Sequence, residues 1–273
     1  MPVIRNVYPR LTSIYFAMKR ADADIYFQRC AGAYTGVVGA FTKINRRLFI
    51  YSGASDRDFI PSDLTVINLK RDRALFSFGL RQANAIVVQN KFQSLSCKQW
   101  YARDSVHIPN SYTVPADLSA NENGPVLWVG VMRKMKRPHL FLELAKRLPH
   151  VRFRMIGGRS TGNNEADYFD QIKEMASKLE NVEMLGYLPY SDAERYYNDA
   201  RLFVSTSEYE GFPNTFLQSW SRGVPTVSFV DCGAEWNGKP VGNIVGSLDE
   251  LAIVVNSLWS NELQLEMESK RAK

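Results

Sequence analysis

From residue 126 onward, apolar and polar positions follow two alternating periods. VLWV (126–129) is a short apolar run, VRFRMI (151–156) alternates with the period of two that suits a strand, and VEML (182–185), LFVS (202–205) and TVSFV (226–230) repeat the strand signal. Between them the period becomes helical. PHLFLELAKRL (138–148) has proline at its first position, EADYFDQIKEMASKL (165–179) is amphipathic, and SDAERYYNDA opens with Ser191 and Glu194 at capping-box spacing. Ser247 and Glu250 repeat that spacing before LAIVVNSLW. Strands alternating with helices predict a parallel sheet covered on both faces.

The first part has the same alternation, less regularly. DIYFQR (24–29), RLFIYSG (47–53), AIVVQN (85–90) and SVHIPN (105–110) predict strands ending in polar turns, with helices over 11–20, 33–43, 70–83 and 91–100. SYTVPADLSANENGP (111–125), rich in Pro, Asn, Ser and Gly, reads as a linker. The pattern predicts two α/β domains, residues 1–120 and 121–273.

Composition narrows the function classes. With 273 residues, 45% hydrophobic and 23% charged, the chain matches an ordinary globular protein. No uncharged stretch is long enough to span a bilayer, and the start MPVIRNVYPR lacks a signal-peptide apolar core. The expected location is cytoplasmic, with the basic balance leaving room for peripheral attachment at the inner membrane face. Three scattered cysteines and three scattered histidines give no disulfide framework and no metal-ligand spacing, so neither a metal nor another cofactor is expected. The net charge of +6 suits nucleic acid, anionic surfaces or phosphorylated ligands. A single dense cluster, RKMKRPH (133–139), is not the aromatic-interleaved basic groove that nucleic acid requires, and no nucleic-acid partner is expected.

The candidate chemistry lies in SEYEGFPNTFLQSW (207–220), where a strand gives way to a helix. In parallel α/β sheets, ligands bind beyond the strands' carboxyl ends, and first-turn N–H groups such as those of Asn214 and Thr215 suit a phosphate. Glu208 and Glu210 would repel a phosphate but are strong acceptors for sugar hydroxyls. Arg133 and Lys136 follow the first strand of the same domain, and Gly157 and Gly158 follow the second, so all of these loops leave one edge of the sheet. Cations, helix N–H groups and carboxylates converging on one cleft suggest a nucleotide-sugar.

Taken together in this order and separation, SEYEGFPNTFLQSWSRGVPTVSF, VLWVGVMRKMKRPHLFLELAKRL and NVEMLGYLPYSD resemble the retaining glycosyltransferases of family 4. The resemblance implies the GT-B fold, an α/β pair of Rossmann-type domains, here with the N-terminal one incomplete. It also implies transfer of a hexosyl group from a UDP- or GDP-sugar to a glycan or lipid-linked acceptor, metal-independent, in polysaccharide biosynthesis. By matching position, Glu210 would contact donor-sugar hydroxyls and Lys136 the diphosphate, with Arg133 standing in for an arginine expected at Val131. Gly130, Gly157 and Gly158 would admit the donor, Leu185, Gly186 and Tyr187 would line the base, and Glu208, Gly211, Phe212, Pro213, Asn214 and Thr215 would complete the donor loop. Gln218 stands where the family places a ribose-binding glutamate.

Several departures qualify the resemblance. The family's glycine-rich first loop has no counterpart, which reads as truncation at both ends or as a first domain completed by a partner chain. Ser52, Gly53 and Ser55 occupy the region where many members have a histidine. Two DxD patterns, Asp22/Asp24 and Asp56/Asp58, read as turn residues rather than metal ligands. The alternative function is a non-catalytic or partner-dependent nucleotide-sugar binder.

Overall fold

The structure is a computed structural model that describes residues 2–64, 67, 69–114, 123–160 and 166–272. It divides into two compact units, Met1–Asn110 and Ser111–Lys273. The predicted boundary near residue 120 lies outside the described residues.

In the first unit the described elements are α1 (Pro2–Ala21), β1 (Ile25–Arg29), α2 (Tyr34–Ile44), β2 (Leu48–Ser52), α3 (Lys70–Gln82), β3 (Ala85–Val88), α4 (Lys91–Tyr101) and β4 (Val106–His107). The four strands pair in parallel in the order β1-β2-β3-β4. Alternation along the strands sorts the side chains: Tyr26, Phe49, Tyr51, Ile86 and Val88 are buried with Phe41, Phe76, Leu80 and Cys97 of the helices, whereas Ile25, Phe27 and Leu48 are exposed. The first DxD pair grips Arg47, with Asp22 at 2.6 Å and Asp24 at 2.8 Å. In the second, Asp56 accepts from Asn90 and Gln93 at 2.9 and 3.0 Å, and Asp58 accepts from the Ala54 N–H at 2.8 Å. These carboxylates tie loops together.

The second unit runs β5 (Val126–Val129), α5 (Pro138–Arg147), β6 (Phe153–Ile156), α6 (Ala166–Ser177), β7 (Val182–Gly186), α7 (Tyr190–Arg195), β8 (Leu202–Ser205), α8 (Asn214–Trp220), β9 (Thr226–Ser228), β10 (Asn243–Ile244), α9 (Leu248–Ser260) and α10 (Glu262–Ala272). A small antiparallel hairpin, Glu235–Trp236 against Lys239–Pro240, stands between β9 and β10. Strand order is β10-β9-β8-β5-β6-β7, all parallel. Both faces are covered, as the near-continuous apolar strands require. Val126, Trp128, Phe153, Met155, Leu202 and Val204 pack into one cluster with α5, α6 and α9. Leu127, Ile156 and Phe203 pack into another with Tyr197, Phe216 and Trp220.

The capping boxes come out differently from their spacing. Ser247 caps α9 by accepting from the Glu250 N–H at 3.2 Å, but the Glu250 carboxylate takes the Gly246 N–H at 2.7 Å instead of that of Ser247. Ser191 is not a cap: α7 begins one residue earlier, with Pro189 at the N-cap and no side-chain bond. Glu194 is engaged elsewhere, by Tyr112 and by Arg222 at 3.5 Å.

Candidate functional site

Strand order fixes where a ligand can sit. The chain winds from β5 outward through β6 to β7, then returns to place β8 on the other side of β5. The helices following β5 and β8 therefore diverge, and a crevice opens at the carboxyl ends of these two strands, the switch point where doubly wound sheets bind ligands. The loops that flank it span residues 130–137 and 206–213.

These two loops are joined through their backbones. Thr206 is fully buried, accepts from Trp128 Nε1 at 3.0 Å, and donates its hydroxyl to the Lys136 carbonyl at 2.7 Å. The Glu208 N–H donates to the Met135 carbonyl at 2.9 Å. Arg137, with φ 47° and ψ 47°, donates to the Thr206 and Ser207 carbonyls at 2.7 and 3.1 Å and places its guanidinium 4.7 Å from the centre of the Phe229 ring. Sequence reasoning missed Arg137. Its position before a helix-opening proline marked a helix start, but the carbonyls it holds lie about 70 residues away.

On this frame the Lys136 ammonium meets the Glu210 carboxylate in an ion pair, with side chains 27% and 15% exposed. Both charges are thus partly withdrawn from water yet open to a ligand. Arg133 leans toward the next loop, where its Nε donates to Ser160 Oγ at 3.1 Å. The two carboxylates of the opening stretch part company: Glu210 faces the crevice, while Glu208 is exposed and accepts from the Tyr209 hydroxyl at 2.6 Å. Burial, then the Arg137 charge, push the nearby His139 imidazole below its ordinary pKa, and its Nδ1 pairs with the Tyr168 hydroxyl at 2.7 Å.

Of the predicted glycines, Gly157 lies at a close backbone approach. A Cβ on Gly157 would stand 1.8 Å from the Gly130 carbonyl oxygen, so the loops after β5 and β6 meet only because residue 157 has no side chain. Gly157→Ala is expected to cost about 1–3 kcal/mol by overpacking. Urea denaturation checks the loss, and a shifted β5 loop should weaken ligand binding in the same variant. Gly158 lies against Tyr187, whose ring is 75% exposed beyond Gly186 at φ 72°. Leu185 and Gly186 border a cavity of about 390 Å³ that Phe169, Lys173, Ala176 and Met184 also line.

The remaining predicted residues lie in the turn before α8 and along that helix. Gly211 and Pro213 are buried, Phe212 is half-buried against Trp220 with ring centres 6.4 Å apart, and Asn214 and Thr215 open a helix without a side-chain cap. Gln218 is only 5% exposed and sits inside that helix, away from solvent. Trp128 and Tyr197 belong to the two cores. Among the described residues, no group of three or more His, Cys, Asp or Glu side chains is placed to hold a metal ion. No helix among them is long and apolar enough to cross a membrane.

Residues 115–239 match the family model of glycosyl transferases, group 1. The chain is 33% identical over 97 residues to mannosylfructose-phosphate synthase of Agrobacterium fabrum, a match covering 34% of this chain and 21% of that protein. It is 34% identical over 107 residues to O-antigen chain mannosyltransferase B of Escherichia coli, covering 38% and 28%. The matched stretches thus span less than a third of these relatives' own lengths. Among solved structures, Anabaena Alr3699/HepE in complex with UDP and glucose aligns with a TM-score of 0.76 at 18% identity, covering 98% of this chain and 77% of that one. Likeness at this identity bears on the fold, which is the α/β architecture of paired Rossmann-like domains known as GT-B. By sequence, residues 115–239 of this chain are similar to the group 1 glycosyl transferases.

Proposed function

We propose that the crevice between β5 and β8 binds a nucleotide-linked hexose, UDP- or GDP-activated, and that the protein transfers the hexosyl group to a glycan or lipid-linked acceptor. In this reading residues 121–273 hold the donor, residues 1–120 hold the acceptor, and transfer retains the anomeric configuration without a metal ion. The supporting observation is the Lys136–Glu210 pair: a cation and a carboxylate from two different crossover loops, brought together at the switch point. A diphosphate would take the ammonium as partner, which frees the carboxylate to accept hydroxyl groups of the sugar. The UDP- and glucose-bound neighbour and the two relatives named for mannosyl chemistry support this donor class without choosing the base.

The chemical demand is greatest on the diphosphate, which gains negative charge as the glycosidic bond breaks. Lys136 is placed to stabilise that charge, and Arg133, one turn earlier in the same loop, adds a second cation. With retention, the acceptor hydroxyl approaches the face that the diphosphate leaves, and a diphosphate oxygen takes its proton. No protein base is then required, in keeping with Ser52, Gly53 and Ser55 where a histidine would otherwise be sought.

Titration calorimetry with UDP- and GDP-hexoses, with and without chelator, tests the reading. Binding at or below millimolar donor, unchanged by chelator, is the expected result. No binding to folded protein would overturn it. Donor binding without transfer to any acceptor preparation would instead identify the non-catalytic binder, which the buried amide of Gln218 in place of a carboxylate favours.

A further inference from the structure

Arg29 closes β1 at the carboxyl edge of the first unit's sheet, and amides alone hold its guanidinium there. Its Nη2 donates to Asn110 Oδ1 at 3.0 Å. The Gln89 amide, oriented so that both ends find complementary partners, accepts from the same Nη2 at 2.7 Å and donates to the Ala54 carbonyl at 3.2 Å. Gln89 follows β3 and Asn110 follows β4, so the arginine reaches across the end of β2, which terminates in the small residues Ser52 and Gly53. The supports are themselves fixed: the Gln89 N–H donates to Gln93 Oε1 at 2.9 Å, and its carbonyl meets His107 Nε2 at 2.9 Å.

This arrangement orients a cation without neutralising it. Among the described residues Arg29 has no carboxylate partner, and Nε and Nη1 have no protein acceptor. The Asp58 carboxyl, which feels the Arg29 charge, is 3% exposed and already accepts from the Ala54 and Ser55 N–H groups at 2.8 and 3.3 Å. The surroundings reinforce the field. Met1–Asn110 contains 16 Lys and Arg against 7 Asp and Glu, a net +9, whereas Ser111–Lys273 contains 18 against 21, a net −3. The chain's whole positive excess therefore belongs to the first unit, where it raises the local concentration of anions.

We infer that the carboxyl edge of the first unit's sheet binds an anionic group of the acceptor, a phosphate or a carboxylate, with Arg29 as the residue that recognises it. This rests on the reading above that residues 1–120 hold the acceptor. A guanidinium with its remaining N–H groups directed by fixed neighbours forms the planar fork that such anions match, and neutral amides position it without competing for the charge. A neutral acceptor would leave that fork unfilled. Arg29 therefore sets acceptor specificity without taking part in donor binding.

Cys30 supplies a local reporter. It follows Arg29 directly and is exposed, whereas Cys97 and Cys232 are buried, so the neutral reagent iodoacetamide labels Cys30 first in the native protein. Inorganic pyrophosphate at roughly four times its Kd is expected to slow that labelling about fivefold, the occupancy factor of a single site. Each variant is compared with its own rate without probe: Arg29→Gln should lose the protection, Arg29→Lys should keep part of it, and both should bind UDP- or GDP-hexose as the native protein does. Vesicles of phosphatidic acid, against phosphatidylcholine controls, separate the sources. Protection by the vesicles and not by pyrophosphate places the anion on a lipid, and protection by pyrophosphate alone places it on a soluble acceptor. Absence of protection by either probe, or equal protection in Arg29→Gln and native protein, overturns the inference. If Cys30 is protected through Arg29 while nucleotide-sugars fail to bind, the anion site stands and the donor reading falls.

Discussion

Lys136→Ala is expected to lower hexosyl transfer by about 10²–10³ at saturating donor, the usual cost of removing a placed charge stabiliser. The loss should fall on kcat as well as on donor affinity, because the charge on the diphosphate is greater in the transition state than in the bound donor. The Glu210 carboxylate sharpens the effect. In the native crevice it is paired with the ammonium and only 15% exposed; without that partner, it presents an uncompensated negative charge at the proposed position of the diphosphate. Lys136→Arg should therefore recover much of the loss, since it restores the charge. Combining Lys136→Ala with Glu210→Gln should bind donor better than Lys136→Ala alone, even though a second of the proposed donor contacts has been changed. Steady-state kinetics on the three variants, with unfolding curves to confirm native stability, distinguish this from a structural role. Equal kcat in Lys136→Ala and native protein would remove Lys136 from the chemistry.

Phe203→Ala is expected to destabilise the second unit by about 3–5 kcal/mol, the cost of emptying a fully buried aromatic site. Phe203 points from β8 into the face opposite Val204, stacks on Tyr197 with ring centres 5.7 Å apart, and meets Phe216 edge-on at 6.2 Å. The cavity would open under α8, which holds the turn that presents Glu210. Stability and ligand binding should thus fall together, unlike in Lys136→Ala, where only function falls. Denaturant unfolding followed by tryptophan fluorescence measures the first, and donor titration at a temperature where the variant remains folded measures the second. A loss below about 1 kcal/mol would mean that the cluster relaxes around the gap, contrary to the close packing on which this estimate depends.

Much of this structure was legible because its strands are short apolar runs separated by strong helix and turn signals. The run at 126–129 is β5, the alternation at 151–156 contains β6, and the proline-led helix at 138–148 is α5 (Pro138–Arg147). The meeting of Lys136 and Glu210 was legible in part. That every strand's following loop leaves the same edge of a parallel sheet follows from the βαβ order alone, but that β8 lies beside β5 does not. Strand order depends on which faces pack together, and local pattern is silent about it. Three elements escaped for related reasons. The hairpin around Asn237–Gly238 has a typical hairpin dipeptide, yet its arms are two residues each, too short for any period to register. β10 consists of Asn243–Ile244 and forms only because β9 offers an edge. α10 is so heavily charged that its apolar stripe reduces to a few positions such as Leu265. Arg137 is the most consequential omission. Nothing about an arginine before Pro138 announces a left-handed backbone or two carbonyl acceptors from the β8 loop.

A crystal of the protein soaked with UDP gives the most direct view of the central claim, that one diphosphate lies between the loop after β5 and the turn before α8. The expected density places the diphosphate within hydrogen-bonding distance of Lys136 Nζ, with the Glu210 carboxylate turned from the ammonium toward the position of the missing hexose. A nucleotide bound elsewhere on the second unit, with the Lys136–Glu210 pair left closed, would contradict it.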